Sequence, residues 1–191
     1  MHRLLVFTDA SQTPGGTPDD LVDRLRRARD GGEFSLILRE KDLPSRRRRE
    51  LAAELDRCLP QVELIVADPD WPVAACHLSA NFPQPVPRPR LVGRSIHRDD
   101  RPGPVDYVTY SPIYATVSKP GYGPAEGEPG LRSACRRLPV PVYALGGVET
   151  AEQVTAIRRA GAHGVAVMGA IMRADDPASI VRRLSRALSG H

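Results

Sequence analysis

Short apolar runs rich in β-branched residues alternate with segments of helical period along the chain. The runs are Leu4 to Phe7, Phe34 to Leu38, Val62 to Val66, Val73 to Leu78, Leu91 to Val92, Tyr107 to Tyr110, Val142 to Leu145 and Val165 to Met168. Apolar runs of this length read as strands buried on both faces, and their alternation with helices is the signature of parallel βα units. About eight such runs is the number that a closed (β/α)8 TIM barrel requires. Between them, Leu51, Leu55 and Cys58 form one helical stripe, and Ile180, Val181, Leu184 and Leu188 form another on the last helix. Pro44 and Pro177 suit helix starts, Asp175 or Asp176 suits a cap, and Gly161 suits the end of a helix over 151–160.

At 191 residues the chain is shorter than the roughly 250 typical of this architecture. Prolines cluster between Pro69 and Pro89, where neither a regular helix nor a central strand tolerates them. The expected fold is therefore an α/β barrel with shortened or missing helices around strands 3–5. Without an internal repeat or a low-complexity linker, residues 1–191 read as one domain.

A hydrophobic content of 41% with 26% charged residues is that of a globular chain. The 27 Lys and Arg against 23 Asp and Glu give a net charge of +4, but the arginines are scattered, with no basic stripe interleaved with aromatics. This argues against a nucleic-acid partner. The densest run, Arg46 to Arg49, reads as a solvated helix face. Cys58, Cys76 and Cys135 have no metal or redox spacing and read as reduced, mostly buried thiols. The opening MHRLLVFTDA is too briefly apolar for a signal peptide or a membrane span, so a cytoplasmic protein with no membrane partner is expected.

Three clusters follow predicted strands, where a parallel barrel gathers its site. In Leu38-Arg39-Glu40-Lys41-Asp42, Arg39 and Lys41 fall on one side of an extended segment and reach one anion together, although such a pair also serves as a surface ion pair. The Gly/Pro-rich segment 111–124 gathers Thr116, Ser118 and Lys119, hydroxyls beside a lysine that suit a phosphate or pyrophosphate. Gly146-Gly147 and Met168-Gly169-Ala170 follow the last two strands, where barrels often bind phosphate with backbone N–H groups. Tight turns are the competing reading of each glycine.

The strings DYVTYSPIYATVSKPGYGP, PVYALGGV and GAHGVAVMGAI followed by DDP, with LLVFTD, LREKD and GRSIH upstream, resemble the thiamine phosphate synthase/TenI family over roughly residues 3–188. The resemblance implies a barrel whose partners are a phosphorylated aminopyrimidine and a phosphorylated thiazole. Synthases of the family join the two and release pyrophosphate, with Mg2+ as cofactor. By resemblance, Arg39, Lys41, Ser95 and Lys119 match pyrophosphate-contacting positions. Thr116, Ser118, Gly147 and the turn Val167, Met168, Gly169 and Ala170 match the thiazole phosphate region, to which Gly146 is adjacent. Asp68 matches a metal carboxylate.

The chain also departs from the family pattern. Ala67 precedes Asp68 where an Asn is usual, a second metal carboxylate is expected near Ala74, and Ile37 stands where synthases usually carry Gln. Pro112 occupies the place of the proton-transferring His of the TenI tautomerases. His77 and His97, near predicted strand ends, are further candidates for moving protons near neutral pH. The leading expectation is thiamine phosphate synthase-like coupling. The alternatives are a TenI-like thiazole tautomerase and a non-catalytic barrel that binds a phosphorylated thiazole-like ligand. A homo-oligomer is left open.

Overall fold

Successive side chains of a strand point to opposite faces, so a run that is apolar at every position needs cover on both sides. In β1 (Leu4–Phe7), Leu5 and Phe7 join one buried cluster while Leu4 and Val6 join another. The first cluster fills the inside of a barrel; the second lies between the barrel and its helices. The computed structural model describes residues 1–98, 100–115 and 125–190.

After β1 come β2 (Ser35–Leu38), β3 (Glu63–Ala67), β4 (Ala75–Leu78) and β5 (Leu91–Ile96), then β6 (Tyr107–Tyr110), β7 (Val142–Leu145) and β8 (Gly164–Val167). All pair in parallel in sequence order, and β8 closes on β1 with Leu5 opposite Ala166. The interior is packed with rings: Tyr107 and Tyr143 meet edge to face at 5.6 Å, and Phe7 meets His77 at 5.3 Å. Gly93 makes this possible, because a Cβ there would overlap the ring of Tyr107 on the adjacent strand.

The helices are α1 (Pro18–Arg29), α2 (Ser45–Cys58), α3 (Gly127–Arg137), α4 (Ala151–Arg159), the single turn α5 (Gly169–Met172) and α6 (Pro177–Ser189). Their starts follow capping rules. Asp176, not Asp175, accepts the Ser179 amide at 3.1 Å ahead of Pro177, and Thr150 with Gln153 forms a reciprocal capping box. Leu51 and Leu55 are buried beneath α2, as are Val181, Leu184 and Leu188 beneath α6. Gly161 takes a left-handed φ of 101° just past α4.

Among the described residues no helix lies between β3 and β4 or between β4 and β5, as the prolines require. The described residues between β5 and β6 hold none either, which goes beyond the expectation; Pro102, Gly103 and Pro104 leave no uninterrupted helical stretch there. Loops crossing this side must satisfy their carbonyls some other way. Arg94, buried on β5, donates from one Nη1 to the carbonyls of Ser79, Ala80 and Phe82 at 3.1, 2.8 and 2.9 Å. Arg48 does the same for Ala67 and Asp68 at 3.4 and 3.1 Å, and its guanidinium lies over Trp71. The run Arg46 to Arg49 is thus not a uniformly solvated face. Arg46 and Arg47 pair with Glu50 in solvent, whereas Arg48 is drawn inward by carbonyls that lack a helix to bond. Of the cysteines, all free, only Cys76 is fully buried.

Candidate functional site

A cavity of about 370 Å³ opens at the C-terminal ends of the strands. Its wall includes Arg39, Lys41, Ser95, Gly146, Gly147, Val167, Met168, Gly169 and Ala170, so these sequence-derived site residues come together. Thr116, Ser118 and Lys119 lie outside the described residues.

At the end of β2 the chain stays extended enough for Arg39 and Lys41 both to line the cavity. Glu40 between them turns the other way and is buried, accepting the Ala10 amide on both oxygens at 3.1 and 3.2 Å. The Arg39 amide donates to Thr8 Oγ1 at 2.8 Å. Both bonds tie this segment to the end of β1, so the two cations rest on a fixed backbone.

Asp68 stands behind this pair and does not belong to the cavity wall. Its Oδ2 lies 3.1 Å from Lys41 Nζ, and its Oδ1 accepts the Ser79 amide at 2.7 Å. Mg2+ prefers an octahedral oxygen shell and binds through one or two carboxylates plus waters and phosphates. The single carboxylate here already has one oxygen on an ammonium and the other on an amide. Among the described residues no group of three or more His, Cys, Asp or Glu is arranged to hold a metal. The donor set does not fit a metal site built by the protein. Ala74, where a second carboxylate was expected, precedes β4 at the opposite end of the barrel; past the C-terminal end of β4 the wall carries Ser79, Ala80 and Asn81.

Below Ser95 lies a polar network. His77 Nε2 is 2.9 Å from Ser95 Oγ, His77 Nδ1 is 3.1 Å from Tyr107 Oη, and Thr109 Oγ1 is 3.2 Å from Ser95 Oγ. His77 is only 2% exposed, and burial pushes its pKa down to about 3, with Arg94 and Lys41 adding to the effect against Asp68. The ring is neutral at physiological pH. Burial likewise holds the Tyr107 phenol protonated, and its hydroxyl shares a hydrogen bond with Nδ1. A neutral imidazole has one donor and one acceptor nitrogen, so Tyr107 Oη and Ser95 Oγ take opposite roles on the ring. His77 therefore positions Ser95 and is not itself a proton shuttle at the cavity wall. His97 does line the cavity, its Nδ1 donating to the Ser111 carbonyl at 2.8 Å.

On the far side, Gly147 is required twice over. Its φ of 66° is left-handed, and a Cβ would sit 2.5 Å from the Ala115 carbonyl oxygen and 2.7 Å from Tyr114 Cβ. The segment after β6 is laid directly against this turn, with the Ile113 and Tyr114 amides donating to Leu145 and Gly146 at 3.0 Å each. No described residue accepts from the amides of Gly147, Gly169 or Ala170, which leaves three donors at one end of the cavity.

Three charged wall residues, Asp9, Glu149 and Arg173, were not among those singled out from the sequence. Asp9 accepts from Ser11 Oγ and Gln12 Nε2 at 2.6 and 2.7 Å. Arg173 donates to Gln12 Oε1 at 2.5 Å and lies 3.5 Å from Glu149 Oε1. Asp9 was readable from its place just after β1; Arg173, behind a whole turn of helix, was not. Ile37, in place of a polar residue, is fully buried inside the barrel, and Pro112 lines the cavity.

A family model described as thiamine monophosphate synthase (TMP-TENI) matches residues 4–171. The chain is 32% identical to a thiamine-phosphate synthase of Syntrophomonas wolfei, covering 96% of this chain and 94% of the relative. Identity is also 32% with a thiamine-phosphate synthase of Chloroflexus aurantiacus, over 98% and 93%. In structure it resembles thiamine phosphate pyrophosphorylase from Pyrococcus furiosus, with a TM-score of 0.77, 21% identity and coverage of 98% and 96%, a likeness of fold.

Proposed function

Because the chain belongs to the thiamine monophosphate synthase family, we propose that it couples an aminopyrimidine methyl pyrophosphate to a thiazole phosphate and releases pyrophosphate. The observation that carries the reading is one cavity with donors suited to anions at two ends: Arg39 and Lys41 after β2, and, after β7 and β8, the amides of Gly147, Gly169 and Ala170, from which no described residue accepts. In the reaction the methylene carbon–oxygen bond breaks with its electron pair leaving on pyrophosphate, and the thiazole nitrogen forms the new carbon–nitrogen bond.

Negative charge grows on the leaving group, and fixed cations already aimed at it stabilise that charge more in the transition state than in the ground state. Arg39 and Lys41 supply this, the hydroxyl of Ser95 adds a polar contact, and Lys119 adds a further cation by resemblance. Thr116 and Ser118 are assigned to the thiazole phosphate on the same ground. No step is routed through Mg2+, since the donor set does not fit one. Tautomerisation has no departing pyrophosphate and gives Arg39 and Lys41 nothing to stabilise.

The reading includes a cytoplasmic enzyme, supported by three free thiols; among the described residues no helix is long and apolar enough to cross a membrane. Incubating the purified protein with both precursors, with and without Mg2+, tests the proposal. Thiamine phosphate and pyrophosphate in equal amounts are the expected products, and absence of coupled product under both conditions removes the reading.

A further inference from the structure

We infer that Arg173 is the countercharge for the thiazole-side phosphate, and that residue 169 is glycine to admit its guanidinium. The inference deepens the proposed function and rests on it. The three amides at this end of the cavity, from which no described residue accepts, are neutral donors, and Glu149 places a carboxylate on the wall. A phosphate dianion brought there with only neutral donors would face that carboxylate uncompensated. Arg173 is the cation that corrects the balance: of the described wall residues, the other Arg and Lys are Arg39 and Lys41, beyond β1.

Gly169 has no conformational reason to be glycine, since its φ is not in the left-handed region. Its reason is space. A Cβ at 169 would overlap the Arg173 guanidinium, which lies across the start of α5 where a side chain would otherwise project. The guanidinium has five N–H donors, and its hydrogen bonds to described residues go to Gln12 Oε1 and, at 3.5 Å, to Glu149 Oε1. The longer of these contacts is between half-exposed groups, with side-chain exposures of 40% and 58%, so it is weak and readily exchanged. Donors therefore remain for phosphate oxygens. Arg173 thus differs from a surface arginine that merely ties α5 to its surroundings.

Affinities for thiazole phosphate and for the unphosphorylated thiazole alcohol, measured by calorimetry on the full chain, separate the two roles. For Arg173→Ala, thiazole phosphate affinity is expected to fall about 10- to 100-fold, the scale of a lost charged hydrogen bond, while the alcohol binds as before. Arg173→Lys restores part of the loss. Gly169→Ala, which pushes the guanidinium aside, should weaken the phosphate ester in the same way, and the double variant Gly169→Ala/Arg173→Ala should be no weaker than Arg173→Ala alone. Equal loss for ester and alcohol, or additive losses in the double variant, would overturn the inference. A parent protein that couples the precursors, with an Arg173→Ala variant that binds the ester unchanged, would overturn it while leaving the proposed function standing. A parent protein that binds no thiazole phosphate would remove both.

Discussion

His77 Nε2 and Ser95 Oγ stand 2.9 Å apart, joining a buried neutral imidazole to a hydroxyl on the cavity wall. The folded pKa of His77 is depressed from 6.5 to about 3, so the unfolded chain takes up a proton first as the medium is acidified. The stability that His77 contributes is full above pH 6.5 and is lost progressively as pH falls toward 3. Unfolding free energies of the parent from urea titrations should drop between these limits by up to about 1.4 kcal/mol per pH unit more than those of His77→Gln. Parallel curves would mean that the ring is not held neutral.

The Lys41–Asp68 contact sets an expectation for metal dependence. With one Asp68 oxygen on Lys41 and the other on the Ser79 amide, Mg2+ titrated into the protein alone should bind only weakly, and measurable binding should need pyrophosphate. Lys41→Ala releases a carboxylate oxygen and should raise Mg2+ affinity several-fold, while coupling falls on the order of 10²-fold as a stabilising charge is lost. Tight binding to the unliganded parent would contradict this account of Asp68.

Gly147→Val combines a β-branched residue, a left-handed φ and a backbone oxygen in the way. We expect a loss of at least about 1–3 kcal/mol in chemical denaturation from the strained backbone alone, together with weaker thiazole phosphate binding. Gly103→Ala, also at positive φ but with nothing within 4 Å of the added Cβ, should cost less and leave binding alone. Equal effects of the two would remove the steric role assigned to the turn.

Arg94→Met keeps length and apolar bulk but removes the guanidinium from three carbonyls, of which Ser79 still accepts the Phe82 amide at 3.0 Å. Stability should fall by about 2–4 kcal/mol, and amide exchange should accelerate first in residues 79–82. Unchanged exchange there would show that the loop holds itself.

The barrel was legible because most strands are buried on both faces. Tyr107–Tyr110 and Val142–Leu145 were read with their observed limits for that reason. β5 was read only as Leu91 to Val92, yet it runs to Ile96. Its second half looks polar because each residue serves something beyond the strand: Gly93 yields to Tyr107, Arg94 leaves for distant carbonyls, and Ser95 meets His77. The residues most tied to the site thus hid the strand that carries them. Arg39, Lys41 and the glycine turns were visible because they follow strand ends directly. Arg173 was not, because its place depends on α5 folding back toward Gln12. Arg48 was hidden in a run of four arginines, of which burial singles out one.

The guanidinium of Arg94 grips main-chain oxygens, and every residue type offers the same oxygen. The wall formed by Ser79, Ala80 and Asn81 can therefore exchange its side chains while keeping its path, provided that position 94 stays arginine. A helix packed there would have demanded a matching apolar face and tied those side chains to the core. Along this stretch of the cavity, shape is inherited separately from chemistry, and preference for the group bound against it can drift without the barrel having to be rebuilt.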